Sequence, residues 1–262
     1  MSLAVGMIGL GEAGASIAAD LVSAGATVRG WDPAASAPEG VDGAQDAERA
    51  AIGADVVLSA NSPAAALDAA RSAVPALREG QVFADLNTAA PALKRELADL
   101  IGESGAAFAD VALMRPVPGN GLATPTLVSG SGAERFAAAL GPLGMPVAVV
   151  GAQPGDAAAR KLARSVFAKG LAAAIGESLA VAEQLGFEEW LYADLARTLE
   201  NADATLLQRL IDGSRVHAER RVEEMSAAAE MLEDAGVEPR IASASEAWLR
   251  SLARESEAGA PR

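Results

Sequence analysis

The chain has 262 residues, 51% of them hydrophobic, and a formal net charge of −14. It is long enough for one large domain or two small ones, while its acidity disfavours binding to nucleic acid and to anionic membranes, which both attract basic surfaces. The sequence contains no cysteine and a single histidine. This composition excludes disulfide bonds, thiol nucleophiles and zinc sites built on cysteine or paired histidines, and we predict no metal site.

Strand-like and helix-like segments alternate along the first half of the chain. A short apolar strand over residues 3–9 is followed by a glycine-rich turn and a helix that ends at Gly25. Further strands are predicted at residues 26–31, 55–60, 82–86, 106–111, 126–129 and 146–150. Such alternation is typical of a mostly parallel sheet with crossover helices. The first apolar stretch is too short for a signal peptide or a membrane span, so we expect a cytoplasmic protein with no membrane partner.

The pattern changes at the Gln-Pro-Gly sequence that ends at Gly155. From there to Glu255 the sequence is helix-forming and rich in alanine, leucine, glutamate and arginine, and residues 156–185 could form one long helix. We therefore predict an α/β domain, an all-α domain joined to it by a long interdomain helix, and a disordered tail. Their predicted ranges are residues 1–153, 154–256 and 257–262.

A glycine motif stands between the first strand and the first helix. It reads G-x-G-x-x-G and comprises Gly9, Leu10, Gly11, Glu12, Ala13 and Gly14. These glycines permit a tight turn, close approach of a pyrophosphate to backbone N–H groups, and close packing of helix on strand. An acidic residue, Asp32, ends the second strand 18 positions after Gly14. This context predicts a Rossmann-type dinucleotide site.

Asp32 also bears on the choice of cofactor. Its carboxylate would accept hydrogen bonds from the ribose hydroxyls and repel a 2′-phosphate, which favours NAD over NADP. The alternative is an ordinary turn carboxylate, because aspartate is common in turns.

Polar residues follow two further strands. Asn61 and Ser62 come after the strand over residues 55–60, and Asn87 and Thr88 come after the strand over residues 82–86. Ligands of open α/β sheets lie outside the carboxyl ends of the strands, so we predict that Asn61, Ser62 and Thr88 contact the cofactor. The same residue types are preferred helix N-caps, and a residue can fill both roles.

Several segments resemble the β-hydroxyacid dehydrogenase superfamily, which includes 3-hydroxyisobutyrate dehydrogenases and the N-terminal part of 6-phosphogluconate dehydrogenases. They are MIGLGEAGASIA, WDP, DVVLSANSP, FADLNTAAP and residues 155–177. The GEAG sequence and the run HAERRVEEM are similar to a branch that combines a phosphogluconate dehydrogenase-like NAD-binding domain with its own helical C-terminal domain. The resemblance implies a Rossmann-type domain followed by an all-α domain. It also implies an NAD(P)-dependent oxidoreductase that acts on a CH–OH group of a small hydroxyacid-type alcohol or on the matching carbonyl.

The same resemblance implies catalytic residues on the long helix. The family has a general acid/base lysine in the motif K-x-x-x-N, with a glutamate sixteen residues after the lysine. Lys161 and Glu177 match these positions, and Ser165 stands at the asparagine position, on the same helix face as Lys161. A solvated helix lysine without a catalytic role is the alternative, and Lys169 is the second candidate for the acid/base.

The substrate loop departs from the family pattern. The family sequence D-x-P-V-S-G-G matches here at Asp110, but Met114, Arg115 and Pro116 stand at the Ser-Gly-Gly positions. Because those small residues bind the carboxylate of a short hydroxyacid in the family, their loss argues against 3-hydroxyisobutyrate itself. We hypothesise that Arg115, with Met114 beside it, binds an anionic substrate through paired hydrogen bonds. A surface arginine in a polar loop is the alternative.

The only histidine, His217, is predicted to share a helix with Arg220 and Arg221 and to reach the substrate, in its own subunit or in a partner's. A solvated helix with Arg–Glu pairs, such as Arg220 with Glu224, is the alternative. We expect a homodimer, because relatives dimerise through the helical domain, and a small anionic molecule as substrate.

Two other functions fit the same sequence. Related folds reduce imines, so reduction of a C=N bond is one alternative. Because Ser165 and the substrate loop depart from the family pattern, a sensor that binds a dinucleotide without turnover is the other.

Overall fold

The structure is a computed structural model that describes the backbone of residues 2–259 and the side chains of residues 2–255. The chain forms two compact units, which divide between Arg164 and Ser165. We call them the α/β unit and the helical unit.

The α/β unit is built on one eight-stranded sheet. Its strands are β1 (Ala4–Ile8), β2 (Thr27–Trp31), β3 (Asp42–Gly43), β4 (Val56–Ser59), β5 (Val82–Asp85), β6 (Ala107–Leu113), β7 (Thr126–Ser129) and β8 (Val147–Gly151). Their order in the sheet is β3-β2-β1-β4-β5-β6-β7-β8, and every neighbouring pair is parallel except β6 with β7. The order reverses between β1 and β4, where open α/β sheets bind their ligands.

Five helices connect the strands of this unit, and a sixth leads out of it. They are α1 (Glu12–Ser23), α2 (Ala47–Ala51), α3 (Ala66–Ala73), α4 (Pro91–Gly102), α5 (Ala133–Leu140) and α6 (Asp156–Leu185). Local signals set several ends: Gly25, at φ +92°, follows the C-cap of α1, Asp46 caps α2, and Pro91 is the first residue of α4. The central strands are buried on both faces, as crossover helices require.

The helical unit contains the rest of α6 and four further helices. These are α7 (Glu188–Glu200), α8 (Ala204–Val216), α9 (Ala218–Asp234) and α10 (Arg240–Gly259). By length and composition, α6 is also the one helix of the described residues that could cross a membrane. One such helix is weak evidence for a membrane span, because a core helix of a soluble protein meets the same criteria of length and composition.

The predicted fold class is confirmed: a mostly parallel sheet is followed by a helical region that a single long helix enters. The two compact units divide eleven residues after the predicted domain boundary at residue 153, because the first turns of α6 contact the sheet. The predicted tail, residues 257–262, begins inside α10, which continues to Gly259, and residues 260–262 lie outside the described residues.

Candidate functional site

The turn after β1 admits only glycine at two of its three motif positions. Gly9 has φ +100°, and a Cβ there would lie 2.2 Å from the carbonyl oxygen of Ala60. A Cβ on Gly14 would lie 2.0 Å from the carbonyl oxygen of Gly9. Both distances are far shorter than any real contact, so these glycines let α1 and β4 pack against the turn.

Gly11 is different, because a Cβ there would meet no atom of the described residues within 4 Å. It is the N-cap of α1 and is exposed, and the helix begins at Glu12. Its side-chain space is therefore open at a helix N-terminus, where unpaired N–H groups and the positive end of the helix dipole favour phosphate. Of the other motif residues, Glu12 is exposed and Ala13 half-buried, whereas Leu10 packs its side chain in the core.

Asp32 holds the turn together from the end of β2. Its Oδ2 accepts a hydrogen bond from the N–H of Leu10 at 2.8 Å, and its Oδ1 accepts from the N–H groups of Ala34 at 2.8 Å and Ala35 at 2.9 Å. Burial raises the pKa of Asp32, but the three backbone N–H donors outweigh it and hold the pKa below its usual value. Because a carboxylate accepts about four hydrogen bonds, Asp32 retains acceptor capacity for a ribose hydroxyl.

We expect Asp32 to make the stability of the α/β unit depend on acid pH. Since its pKa is lower in the folded chain than the ordinary value of 3.8, its ionised form stabilises the fold above that pH. This contribution is lost as the pH falls through the folded pKa. Urea unfolding of the wild type and of Asp32→Asn should therefore give free energies of unfolding that differ at pH 6, and the difference should shrink as the pH falls below 3.8. Asp42→Asn, which changes an exposed carboxylate, is the control, and a gap that stays constant with pH would contradict the assignment.

The side chains of Asn61, Asn87 and Asp85 are hydrogen-bonded in a row across the carboxyl ends of β4 and β5, and we call this row the polar ladder. The Nδ2 of Asn87 donates to the Oδ1 of Asn61 at 2.9 Å and also to the Oδ1 of Asp85, and the Oδ1 of Asn87 accepts from the N–H of Asn61 at 2.7 Å. Ser62 is exposed, and its Oγ accepts from the N–H of Ala65 at 3.2 Å in the turn before α3, whose N-cap is Ala65 and not Ser62. Asn87 lies at the second of the two strand ends that the sequence analysis singled out.

Lys161 reaches this edge of the sheet from α6. Its Nζ donates to the Oγ1 of Thr88 at 2.7 Å, and both residues belong to the α/β unit. Thr88 is exposed and follows β5 closely, whereas the glycine turn follows β1, two strands away in the sheet. Because β1, β4 and β5 are parallel, the amine and the glycine turn lie at the same edge. Ser165 is one turn further along α6 and belongs to the helical unit, as does the exposed Lys169.

The loop after β6 is attached to α6 by an arginine that sequence reasoning did not single out. The Nη1 of Arg164 donates to the carbonyl oxygen of Met114 at 2.6 Å. Met114 is half-buried and Arg115 is exposed. Arg164 stands three positions after Lys161 on the same helix, a spacing that could have pointed to it.

The remaining candidates belong to the helical unit. His217 is exposed and is the residue between α8 and α9, so it precedes the helix that carries Arg220 and Arg221. Arg220 pairs with Glu224 at 3.3 Å, as the solvated-helix alternative foresaw. The carboxylate of Glu177 accepts hydrogen bonds from the N–H groups of Ile241 at 2.7 Å and Ala242 at 2.8 Å, at the first turn of α10.

A buried ionic cluster that the sequence interpretation also missed lies beneath the polar ladder. Lys94, only 1% exposed, contacts two buried carboxylates: its Nζ lies 2.6 Å from Asp85 Oδ2 and 3.1 Å from Asp110 Oδ1. Burial raises the pKa of Asp85, the ammonium opposes this shift, and the charge of Asp110 adds to it. A signal was present, because Lys94 shares a face with Leu97 and Ile101 of α4, which are core residues.

The glycine turn and the topology agree with the comparison of this chain with known families. Residues 4–151 match the NAD-binding domain of 6-phosphogluconate dehydrogenase, and residues 182–252 match a domain of unknown function, DUF1932. The chain belongs to this NAD-binding family. It therefore contains an NAD(P)-binding domain of the 6-phosphogluconate dehydrogenase type, as the resemblance implied.

Individual relatives give the same family and fold. A 28.5 kDa protein from Methanothermus fervidus is 30% identical over 171 residues, and the match spans 65% of the length of each protein. A solved structure from Sinorhizobium meliloti is 33% identical, with a TM-score of 0.64 over 95% of this chain and 88% of that one. Another, described as similar to 3-hydroxyacid dehydrogenases, is 31% identical, with a TM-score of 0.64 over 99% of this chain and 100% of that one.

Structures of an imine reductase from Myxococcus stipitatus are similar in fold alone. One, in complex with NAD+, is 22% identical and has a TM-score of 0.81, and another, in complex with NADP+, is 20% identical and has a TM-score of 0.80. Each covers 97% of this chain and 95% of its own. The fold thus accommodates either cofactor.

Proposed function

We propose that this protein transfers hydride between a nicotinamide cofactor and a small, anionic hydroxyacid or its carbonyl counterpart, with Lys161 as the general acid/base. The observation that carries the proposal is the hydrogen bond of 2.7 Å from Lys161 Nζ to Thr88 Oγ1. It holds an amine at the sheet edge at which the glycine turn opens. An arginine could not replace the lysine, because it does not release its proton near neutral pH.

The residues of the glycine turn fit a dinucleotide. The open space beside Gly11, at the N-terminus of α1, has room for a pyrophosphate, and the polar ladder of Asn61 and Asn87 lies at the carboxyl end of the neighbouring strands. The cofactor supplies or accepts the hydride. In the direction of reduction, the ammonium of Lys161 donates its proton to the substrate oxygen as the carbonyl becomes an alcohol. In the direction of oxidation, the neutral amine accepts the hydroxyl proton.

For the substrate, we propose that Arg115 holds the carboxylate or phosphate. A guanidinium can bind either group through two parallel hydrogen bonds, and Arg115 is exposed in the loop that Arg164 attaches to α6. Met114 leaves less room than the small residues of the family loop, which favours a substrate other than 3-hydroxyisobutyrate. Ser165 and His217 remain predicted substrate contacts.

The direct test is a panel of candidate substrates in assays that follow the absorbance of NAD(P)H. Hydroxyacids and phosphorylated alcohols are tested in the direction of oxidation, and the matching carbonyls and cyclic imines in the direction of reduction. Turnover of an anionic hydroxyacid that falls in Arg115→Ala would support the proposal. Turnover of imines alone would favour C=N reduction, the second candidate, for which the imine reductase fold is the supporting observation. Tight NADH binding without turnover of any panel member would favour a dinucleotide sensor.

We also propose that NAD is preferred to NADP because of Asp32. Its remaining acceptor capacity suits a ribose hydroxyl, and its negative charge opposes a 2′-phosphate. A charge-assisted hydrogen bond contributes about 1.5–3 kcal/mol, so Asp32→Ser should weaken NADH binding by about 10-fold or more and narrow the preference over NADPH. Isothermal titration with both cofactors measures this ratio. Asp42→Ser, on β3, is the matched control, and an unchanged ratio in Asp32→Ser would refute the assignment.

We further propose that the protein is a homodimer that associates through its helical unit. The large hydrophobic side chains that are exposed in residues 2–255 all belong to that unit except Ile52 and Val149. Such exposed apolar surface is uncommon on a monomer. Light scattering should give twice the chain mass of 26.3 kDa, and Phe167→Glu together with Trp190→Glu should reduce it, whereas Ile52→Glu should not. A mass of one chain for the wild type at micromolar concentration would exclude a stable dimer.

A further inference from the structure

The buried lysine of α4 is held by two hydrogen bonds and one further ionic contact. The Nζ of Lys94 donates to the carbonyl oxygen of Asp85 at 2.9 Å and to its Oδ2 at 2.6 Å, and lies 3.1 Å from Asp110 Oδ1. The contact with Asp110 is an ion pair only, because its Oδ1 has no hydrogen-bond partner among the described residues. Because a charge in a dry interior is costly unless it is paired, these contacts restrict the positions of both carboxylates.

One side of this cluster holds the first turn of α6. The Oδ2 of Asp110 accepts hydrogen bonds from the N–H groups of Gly155 at 3.1 Å and Ala158 at 3.0 Å, and from the hydroxyl of Ser129 at 3.2 Å. The Oγ of Ser129 in turn accepts from the N–H of Ala157 at 3.0 Å. The N-terminal donors of α6 are thus satisfied by one carboxylate and one hydroxyl of the sheet, as helix ends require. Lys161 stands one turn after Ala158.

The other side of the cluster holds the end of β5. Asp85 is the last residue of that strand, and its Oδ1 accepts from Asn87, which also bonds Asn61 at the end of β4. Thr88 is the next residue after Asn87. The side chain of Lys94 therefore joins the segment that carries Thr88 to the helix turn that precedes Lys161.

We propose that Lys94 is a positioning residue for Lys161. By holding Asp85 and Asp110 at fixed positions, it sets the distance between Thr88 Oγ1 and Lys161 Nζ, although it touches neither atom. Without its charge, the two carboxylates repel each other and the helix turn is no longer held against the end of β5. The contact of Lys161 with Thr88 then lengthens. The catalytic consequence rests on the proposed function, whereas the geometric one does not.

The scarcity of lysine in this chain provides a direct readout. Protein grown with ¹³Cε-lysine has only three labelled side chains, those of Lys94, Lys161 and Lys169. Their NMR signals can be assigned with Lys161→Arg and Lys169→Arg. We expect the Lys161 signal of the double variant Lys94→Met/Asp85→Asn to move toward that of a solvated lysine. Its titration midpoint should fall, because the hydrogen bond to Thr88 Oγ1 favours the charged ammonium and is lost. The Lys169 signal should stay unchanged.

The double variant removes one positive and one negative charge together, so Asp110 keeps its helix donors. Ser129→Ala is the second, milder variant, which loses the hydroxyl that donates to Asp110 and accepts from Ala157. It should move the Lys161 signal in the same direction by a smaller amount. If the double variant shows no cooperative thermal transition, Lys94→Arg, which keeps the positive charge but moves the donor atoms, decides in its place. A Lys161 signal and midpoint that are unchanged in the folded variants, even with a lowered Tm, would overturn the proposal.

The kinetic readout separates this inference from the proposed function. With a substrate identified, Ser129→Ala and the double variant should lower kcat by about 10-fold or more, because displacement of a catalytic group by about 1 Å can cost 100-fold. The KM for cofactor should change by less than about 3-fold. A moved Lys161 signal without any turnover in the wild type would uphold the positioning role and refute the dehydrogenase. Wild-type turnover together with a Lys161 signal that does not move in the variants would uphold the dehydrogenase and refute the positioning role of Lys94.

Discussion

Replacing Lys161 with methionine is expected to lower kcat/KM by about 10²- to 10⁴-fold, the contribution of a well-placed general acid/base. Methionine keeps the length and the apolar stem of the side chain but has no proton to exchange, and it cannot donate to Thr88 Oγ1 as the lysine does. Stopped-flow and steady-state assays of NADH formation measure the effect. The Kd for NADH should stay within about 3-fold of the wild-type value, because the loss concerns the proton and not the cofactor.

Two further variants sharpen this prediction. Lys161→Arg retains the positive charge but not a usable proton, so its kcat/KM should fall nearly as far. Lys169→Met makes the same change two turns later on α6 and should leave turnover unchanged. If Lys169→Met instead abolished turnover while Lys161→Met retained it, the acid/base would be the second candidate of the sequence analysis. If all three variants kept the wild-type kcat/KM, neither lysine would be the general acid/base.

Adding one methyl group at Gly14 and at Gly11 is expected to have opposite consequences. At Gly14 the new Cβ would lie 2.0 Å from the carbonyl oxygen of Gly9, a backbone atom that cannot move aside without displacing the turn. Such overpacking costs about 1–3 kcal/mol or more, and about 3 kcal/mol corresponds to a fall in Tm of about 6–12 °C. At Gly11 the Cβ has open space, so Gly11→Ala should keep its Tm within about 2 °C of the wild type.

For the binding of NADH, we expect a clear effect of the methyl group at Gly11. The methyl group of Gly11→Ala enters the space that we assign to the pyrophosphate, so the Kd for NADH should rise by about 10-fold or more in a protein that is otherwise intact. Differential scanning fluorimetry and titration calorimetry on the same samples measure both effects. Unchanged NADH binding by a folded Gly11→Ala protein would place the pyrophosphate elsewhere.

The fold follows from the sequence wherever a periodic pattern is long enough to be read. The long helix over residues 156–185 is predicted with its observed ends, since Gly155 precedes it and helix-forming residues fill it. The first strand differs by one residue at each end. By contrast, β3 has two residues and α2 has five, and both lie between residues 31 and 55, where the sequence analysis names no strand or helix. Their pairing depends on neighbouring strands, which a local pattern cannot show.

The candidate site was predictable where its chemistry is local in sequence. The glycine turn, Asp32 and the residues after β4 and β5 follow from motif spacing and from the rule that strand ends meet at one edge of a sheet. Lys94 and Arg164 could not be derived in the same way. The role of Lys94 depends on Asp110, whose position in the sheet is set by the pairing of β5 with β6. Residue types alone do not indicate that these side chains meet.

The anchoring of α6 has a consequence for how such proteins can be divided or recombined. A polypeptide truncated after residue 153 would retain all eight strands of the sheet but lose the N–H groups of Gly155, Ala157 and Ala158. Asp110 and Ser129 would then keep polar atoms in a dry interior with fewer partners. Each such atom costs about 1–3 kcal/mol, and more if it is charged, while a domain is stable by only about 5–15 kcal/mol. Chimaeras that exchange the C-terminal region between relatives should therefore be joined beyond Arg164, not at the apparent linker that precedes the helix.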